Sequence, residues 1–136
     1  MSKGNVTEAD LVALVFNNTA LPWAASAILY VALHTADPGE AGDQTTSEAT
    51  YTGYARVAVT RNSSGWTVAG NTASNTGEIT FPECTGGTNT ITHVSVGLAA
   101  SGPSQILYKG ALTASLAISN LITPRFPVGT LTVSED

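Results

Sequence analysis

The spacing of hydrophobic and polar positions changes once along the chain. Near the N-terminus, Leu11, Leu14 and Val15 recur at helical spacing, with Val12 and Phe16 beside them. Thr7 is a good N-cap for this segment. Glu8 and Asp10 would place negative charge in the first turn, where the helix dipole favours it. Asn17, Asn18 and Pro22 end the pattern, so residues 1–19 read as a helical arm and 20–136 as the main domain. An amphipathic helix this short needs a surface to pack on, its own domain or a neighbouring subunit.

From Ile28 onward the period is two. Leu29, Val31 and Leu33 share one face of a strand, with Tyr30, Ala32 and His34 on the other. Further strands follow in "YARVAVTR", around Trp66 and Val68, in "GEITFP", "TITHVSVGLA", "QILYKGAL" and "ASLAI", and in a closing "GTLTV". About eight short strands separated by Gly, Pro, Asn and Ser turns predict an all-β jelly roll or β-sandwich with a short N-terminal helix. Alternation predicts a core of Leu29, Val31, Leu33, Val57, Val59, Ile79, Phe81, Val94, Val96, Leu98, Leu131 and Val133.

Composition adds a constraint. With 136 residues, 43% hydrophobic and 11% charged, the chain can form one core but carries few surface charges, which points to an assembly partner. A net charge of −5 and five scattered basic residues argue against nucleic-acid binding. The longest apolar run, "LPWAASAILYVAL", is too short and too interrupted to span a bilayer, so no membrane role is expected. Lone Cys84 excludes an internal disulfide, and beside Glu83 it reads as a spare thiol rather than a nucleophile. The first residues lack the apolar core of a secretory signal, so the expected setting is the cytosol or a particle assembled there.

The densest cluster of titratable groups is "YVALHTADPGEAGDQ", where His34 is followed by Asp37, Glu40 and Asp43. Carboxylates at this spacing could hold calcium, but the D-x-[DN]-x-[DN]-G pattern is missing and "DPG" is itself a turn signal. Neither His34 nor His93 has zinc-ligand spacing, and "GPS" is not a nucleophile elbow. The expectation is no metal, no cofactor and no enzyme activity. The segment from Asp37 to Tyr51 is too long for a simple hairpin and reads as a contact loop that leaves the sheet. Leu11, Val15, Trp23, Asp37, Glu40 and Asp43 are the candidate partner contacts. A carbohydrate-binding role would require Trp23 or Trp66 as an exposed platform.

The succession "YVALHTADPGEAG", "YARVAVT", "GEITFP", "ITHVSVGLAASG", "ILYKGAL" and "GTLTV" resembles a family of small tailed-phage virion proteins. Members are often labelled tail-fibre proteins, and the resemblance extends to jelly-roll cement proteins that decorate phage heads. It implies a capsid decoration protein on the outer face of the shell that bridges major capsid protein subunits. A tail or tail-fibre component with a receptor-binding role is the alternative. The short helical arm, the long acidic loop and the low surface charge predict self-association, expected here as a homodimer with arm and loop in contact outside their own domain.

Overall fold

A computed structural model describes residues 1–136. It is an all-β sandwich with one short N-terminal helix. The elements are β1 (Ser2–Lys3), α1 (Asn5–Asn17), β2 (Ile28–His34), β3 (Val57–Thr60), β4 (Trp66–Ala69), β5 (Thr72–Asn75), β6 (Ile79–Thr80), β7 (Asn89–Gly97), β8 (Ile106–Ile118), β9 (Arg125–Phe126) and β10 (Thr132–Ser134). A five-stranded antiparallel sheet in the order β1-β8-β7-β2-β3 forms one layer. A three-stranded sheet, β10-β5-β4, and the pair β6-β9 form the other.

The core lies between these layers. Val31, Leu33, Val94 and Val96 of the large sheet meet Trp66, Ile79, Phe81 and Leu131 from the other side. Tyr51, Tyr54, Phe81 and Phe126 form a chain of aromatic contacts with centroids 5.4, 6.4 and 6.2 Å apart. Of the predicted core, Val31, Leu33, Ile79, Phe81, Val94, Val96, Leu131 and Val133 are buried. Leu29, Val57 and Val59 are partly buried against the same cluster.

Leu98 is the exception: it is half-buried, outside the core. A register shift at Val96/Gly97 ends the alternation before it is reached. A second irregularity, between Ile91 and His93, inverts the phase at the other end of β7. Ile91, expected on the face opposite Val94, is therefore fully buried in the same core. Opposite it, "QILYKGAL" and "ASLAI" form one strand, β8. Residues Leu112–Ser115 arc away there, because Ile91 pairs with Leu116 while His93 pairs with Ala111.

The helix differs from expectation at its start. Gly4, not Thr7, is the N-cap, in extended conformation and without a side-chain cap. The reason is tertiary: Gly4 sits against the Ile106 carbonyl, and a Cβ there would lie 2.5 Å from that oxygen. Asn18 ends the helix in a left-handed conformation, its backbone N–H donating to the Ala13 carbonyl. The residues before the helix are not a free extension, because β1 adds to the edge of the large sheet beside Tyr108 and Lys109.

Candidate assembly surfaces

The segment between Asp37 and Tyr51 does not leave the sheet. It folds back over the face of β2 and β7 opposite the core. Thr35 N–H donates to Ser47 O at 2.8 Å, Ala49 N–H to Leu33 O at 2.8 Å, and Gln44 N–H to Ser104 O at 3.0 Å. Beneath it runs a buried polar chain. Gln44 Nε2 donates to Tyr30 O at 2.9 Å and to Ser95 Oγ at 3.2 Å, and Ser95 Oγ lies 2.7 Å from His34 Nε2. His34 Nδ1 lies 2.9 Å from Thr46 O. That carbonyl can only accept, so the proton sits on Nδ1 and Nε2 accepts from Ser95. Burial holds the imidazole below its ordinary pKa. His34 is thus a structural tie rather than a strand end facing solvent.

The three carboxylates of the loop are separately engaged. Asp37 Oδ1 accepts from Gly39 N–H at 2.9 Å and pairs with Lys109 Nζ at 3.0 Å; both contacts, the turn first, lower its pKa. Asp43 Oδ1 accepts from Thr45 N–H at 2.7 Å, and its bonds to Thr45, the hydroxyl first, lower its pKa. Glu40 accepts from the Ser2 hydroxyl, while its carbonyl receives Asn5 N–H at 2.9 Å, tying the loop to the first turn of α1. No three His, Cys, Asp or Glu side chains are grouped as metal ligands. Asp37 and Glu40 are exposed and Asp43 half-buried, on a loop that is part of the sandwich.

The tryptophans are likewise committed. Trp66 is buried in the core. Trp23 donates from its indole N–H to Asp10 Oδ2 at 3.0 Å, and the Arg61 guanidinium lies 5.1 Å from its ring centroid. Trp66 has no exposed face for a sugar, and Trp23, half-buried, has one face under the Arg61 guanidinium. Two clefts, of about 540 and 630 Å³, open between the layers; Leu33, Phe81 and Leu131 line the first, and Leu29, Val96 and Val133 the second.

The most unusual surface is α1. Surface helices ordinarily turn their apolar stripe inward, whereas this one carries apolar residues on both sides, with Leu11 half-buried within and Val12, Val15 and Phe16 outside. Thr7 is its buried residue: its hydroxyl donates to Ile106 O at 2.8 Å and accepts from Gln105 Nε2 at 2.9 Å. The same amide reaches Asp10 Oδ2 at 2.9 Å. Leu11, on this inner side, is half-buried. The opposite side presents Val12, Val15 and Phe16, which are 58, 70 and 81% exposed. These three stand at i, i+3 and i+4 and form one continuous apolar stripe. The partner contacts expected from the sequence include Val15 but not Val12 or Phe16. Helical periodicity locates an apolar stripe without saying which way it faces.

A second apolar point stands at the far end of the sheet. Leu121 is 71% exposed and adopts φ 72°, a left-handed conformation that costs a non-glycine residue about 1–2 kcal/mol. Its N–H donates to Cys84 O at 2.8 Å and Cys84 N–H returns to Ile122 O at 2.8 Å, which locks the strained turn. Nothing in the local sequence marks Leu121 for this role.

No curated protein matches the chain. A family model described as podophage GP4 fiber I protein gp80 matches residues 2–134, almost the whole length. The chain belongs to that family, and it is a phage virion structural protein.

Proposed function

We propose that the protein is a structural subunit of the fibre apparatus, held in the particle through the outward face of α1. The carrying observation is the exposed apolar outer face of α1. Its polar side is used up on Ile106, Gln105 and Trp23, while Val12, Val15 and Phe16 are left in water. Leaving such a stripe exposed forgoes roughly 1.5–3 kcal/mol per large side chain, a gain recovered when a neighbouring subunit covers it. Membership in a family described as a podophage fibre protein supports a fibre location over decoration of the capsid exterior and bridging of major capsid protein subunits.

The test is incorporation. Particles assembled without the native protein are supplied with wild type or with Phe16→Lys, and bound copies are counted and placed by gold-labelled antibody. Wild type should appear on fibres in low copy number and the variant should be lost at least tenfold. Hundreds of copies spread over the head would restore the decoration reading, and full incorporation of Phe16→Lys would remove the helix as the anchor.

A further inference from the structure

We infer that the interlayer cleft bordered by Arg61 is a binding site for a single-chain anionic amphiphile, with the apolar chain between the two layers and the acidic head on the Arg61 guanidinium. No residue of α1 lines this cleft, so the site is separate from the surface proposed to hold the protein in the particle.

The cleft is apolar and open. Val68, Ala73 and Val133 are cross-strand neighbours in one row of the small sheet, on β4, β5 and β10. Leu29, Val96 and Tyr108 of the large sheet line the same cleft, whose volume is about 630 Å³. A sandwich ordinarily fills the space between its layers with interdigitated side chains. Here Val68 lines the cleft and is still 72% exposed, so the layers do not close on each other at this edge. An opening of that size accommodates one small apolar molecule.

Glu135 fixes the spacing of the layers at the rim. Its carboxylate pairs with Lys3 Nζ at 2.8 Å and accepts from the Tyr108 hydroxyl, both on the large sheet. Its N–H donates to Asn71 O at 2.9 Å and its carbonyl accepts from the Asn71 side chain, in the turn between β4 and β5. The residue is thus a polar strut between the layers, and Lys3 neutralises its charge.

Charge selects the ligand. Of the five lysines and arginines, Lys3, Arg56, Lys109 and Arg125 are paired with Glu135, Glu48, Asp37 and Glu78. Arg61 alone has no carboxylate partner, and it borders the cleft. Its Nη1 donates to the carbonyls of Trp23, Ala24 and Ser26 at 3.0–3.1 Å, which holds the guanidinium in place, whereas Nε and Nη2 have no acceptor in the protein. A second unpartnered donor, the indole N–H of Trp66, is buried beside the same cleft. A fixed guanidinium with donors to spare, next to an apolar cleft, matches an acidic head on an alkyl chain.

The experiment is calorimetric titration of the purified chain with monomeric decanoate, with decyltrimethylammonium, and with anionic phospholipid vesicles. It is repeated on two variants. Arg61→Gln removes the charge and keeps a donor for the carbonyls. Val68→Asp puts a carboxylate in the cleft at an exposed position, so it should melt as wild type does. Wild type should bind one decanoate with Kd below about 100 μM and the cationic chain at least tenfold more weakly. Arg61→Gln should lose at least tenfold for decanoate without losing affinity for the cationic chain, and Val68→Asp should lose at least tenfold for decanoate. The proposal is overturned if wild type ignores decanoate up to about 1 mM, if either variant binds it undiminished, or if the cationic chain binds as tightly. Binding to the vesicles with no response to decanoate would also overturn it, by showing a membrane-facing patch instead of a site for one chain.

Discussion

Arg56 and Glu48 form a two-pronged ion pair at the edge of the sandwich, with Arg56 Nε 2.7 Å from Glu48 Oε1 and Nη2 3.0 Å from Oε2. The arginine side chain is almost wholly buried. Its remaining donors reach Ala99 O at 2.9 Å and Gly102 O at 2.7 Å. One side chain thus joins the loop after β2 to the turn after β7. Arg56→Ala should destabilise the domain by about 3 kcal/mol, because it strands a partly buried carboxylate and two carbonyls. Arg56→Lys should recover little of this, since an ammonium cannot match the fork. Urea unfolding of the three proteins measures both effects, and equal midpoints for wild type and Arg56→Lys would refute the second.

Val96 tests the sandwich itself. It pairs with Val31 and Tyr108 across the large sheet and is buried in the core. Val96→Asp should fail to fold, since it buries a charge without a partner. Leu98→Asp, two residues on, should fold, because the register shift at Gly97 places that side chain outside the core. Circular dichroism and solubility separate the pair, and a folded Val96→Asp would refute the face assignment.

Much of the sandwich is legible from alternation, because a side-chain period of two states which residues share a face. Val31, Leu33, Val94 and Val96 all follow it. It fails where the backbone departs from regularity: neither the bulge that buries Ile91 nor the shift that frees Leu98 leaves a local mark. Short strands are also missed. Ser2–Lys3 and Arg125–Phe126 are strands because of what lies beside them, Tyr108 and Lys109 or Ile79 and Thr80. The carboxylates of the loop were visible as residues but not as turn-fixing groups, and the orientation of α1 depended on Gly4 meeting Ile106.

Gly97 allows the loop to settle on the sheet. A Cβ there would lie 2.3 Å from Gln44 Cδ and 2.7 Å from Gln105 O. Gly97→Ala should therefore cost about 1–3 kcal/mol by overpacking. Combined with Gln44→Ala it should cost less than the sum of the two single changes, because one of the two clashes is gone. A double-mutant cycle on urea midpoints reads the coupling, and strict additivity would place Gln44 elsewhere.

The buried imidazole sets the pH response. His34 has a pKa below its ordinary ~6.5 because burial disfavours the cation, with the Thr46 carbonyl opposing. The unfolded chain therefore binds a proton at a higher pH than the folded one does. Its contribution to stability is fully present above pH ~6.5 and is lost as pH falls toward the folded-state pKa. Protonation would also turn Nε2 into a donor facing Ser95 Oγ and force the Gln44–Ser95 bond to rearrange. Asp37, Asp43 and Glu135 act in the same direction but lower, since their depressed values keep their contribution until pH falls below ~4.5, near the ordinary carboxylate values. Melting temperature plotted against pH should therefore be level from about 8 to 6.5, fall once below 6.5, and fall again below ~4.5. His34→Gln should start lower but lose the upper step while keeping the lower one. An upper step that survives in that variant would assign it to a group other than His34.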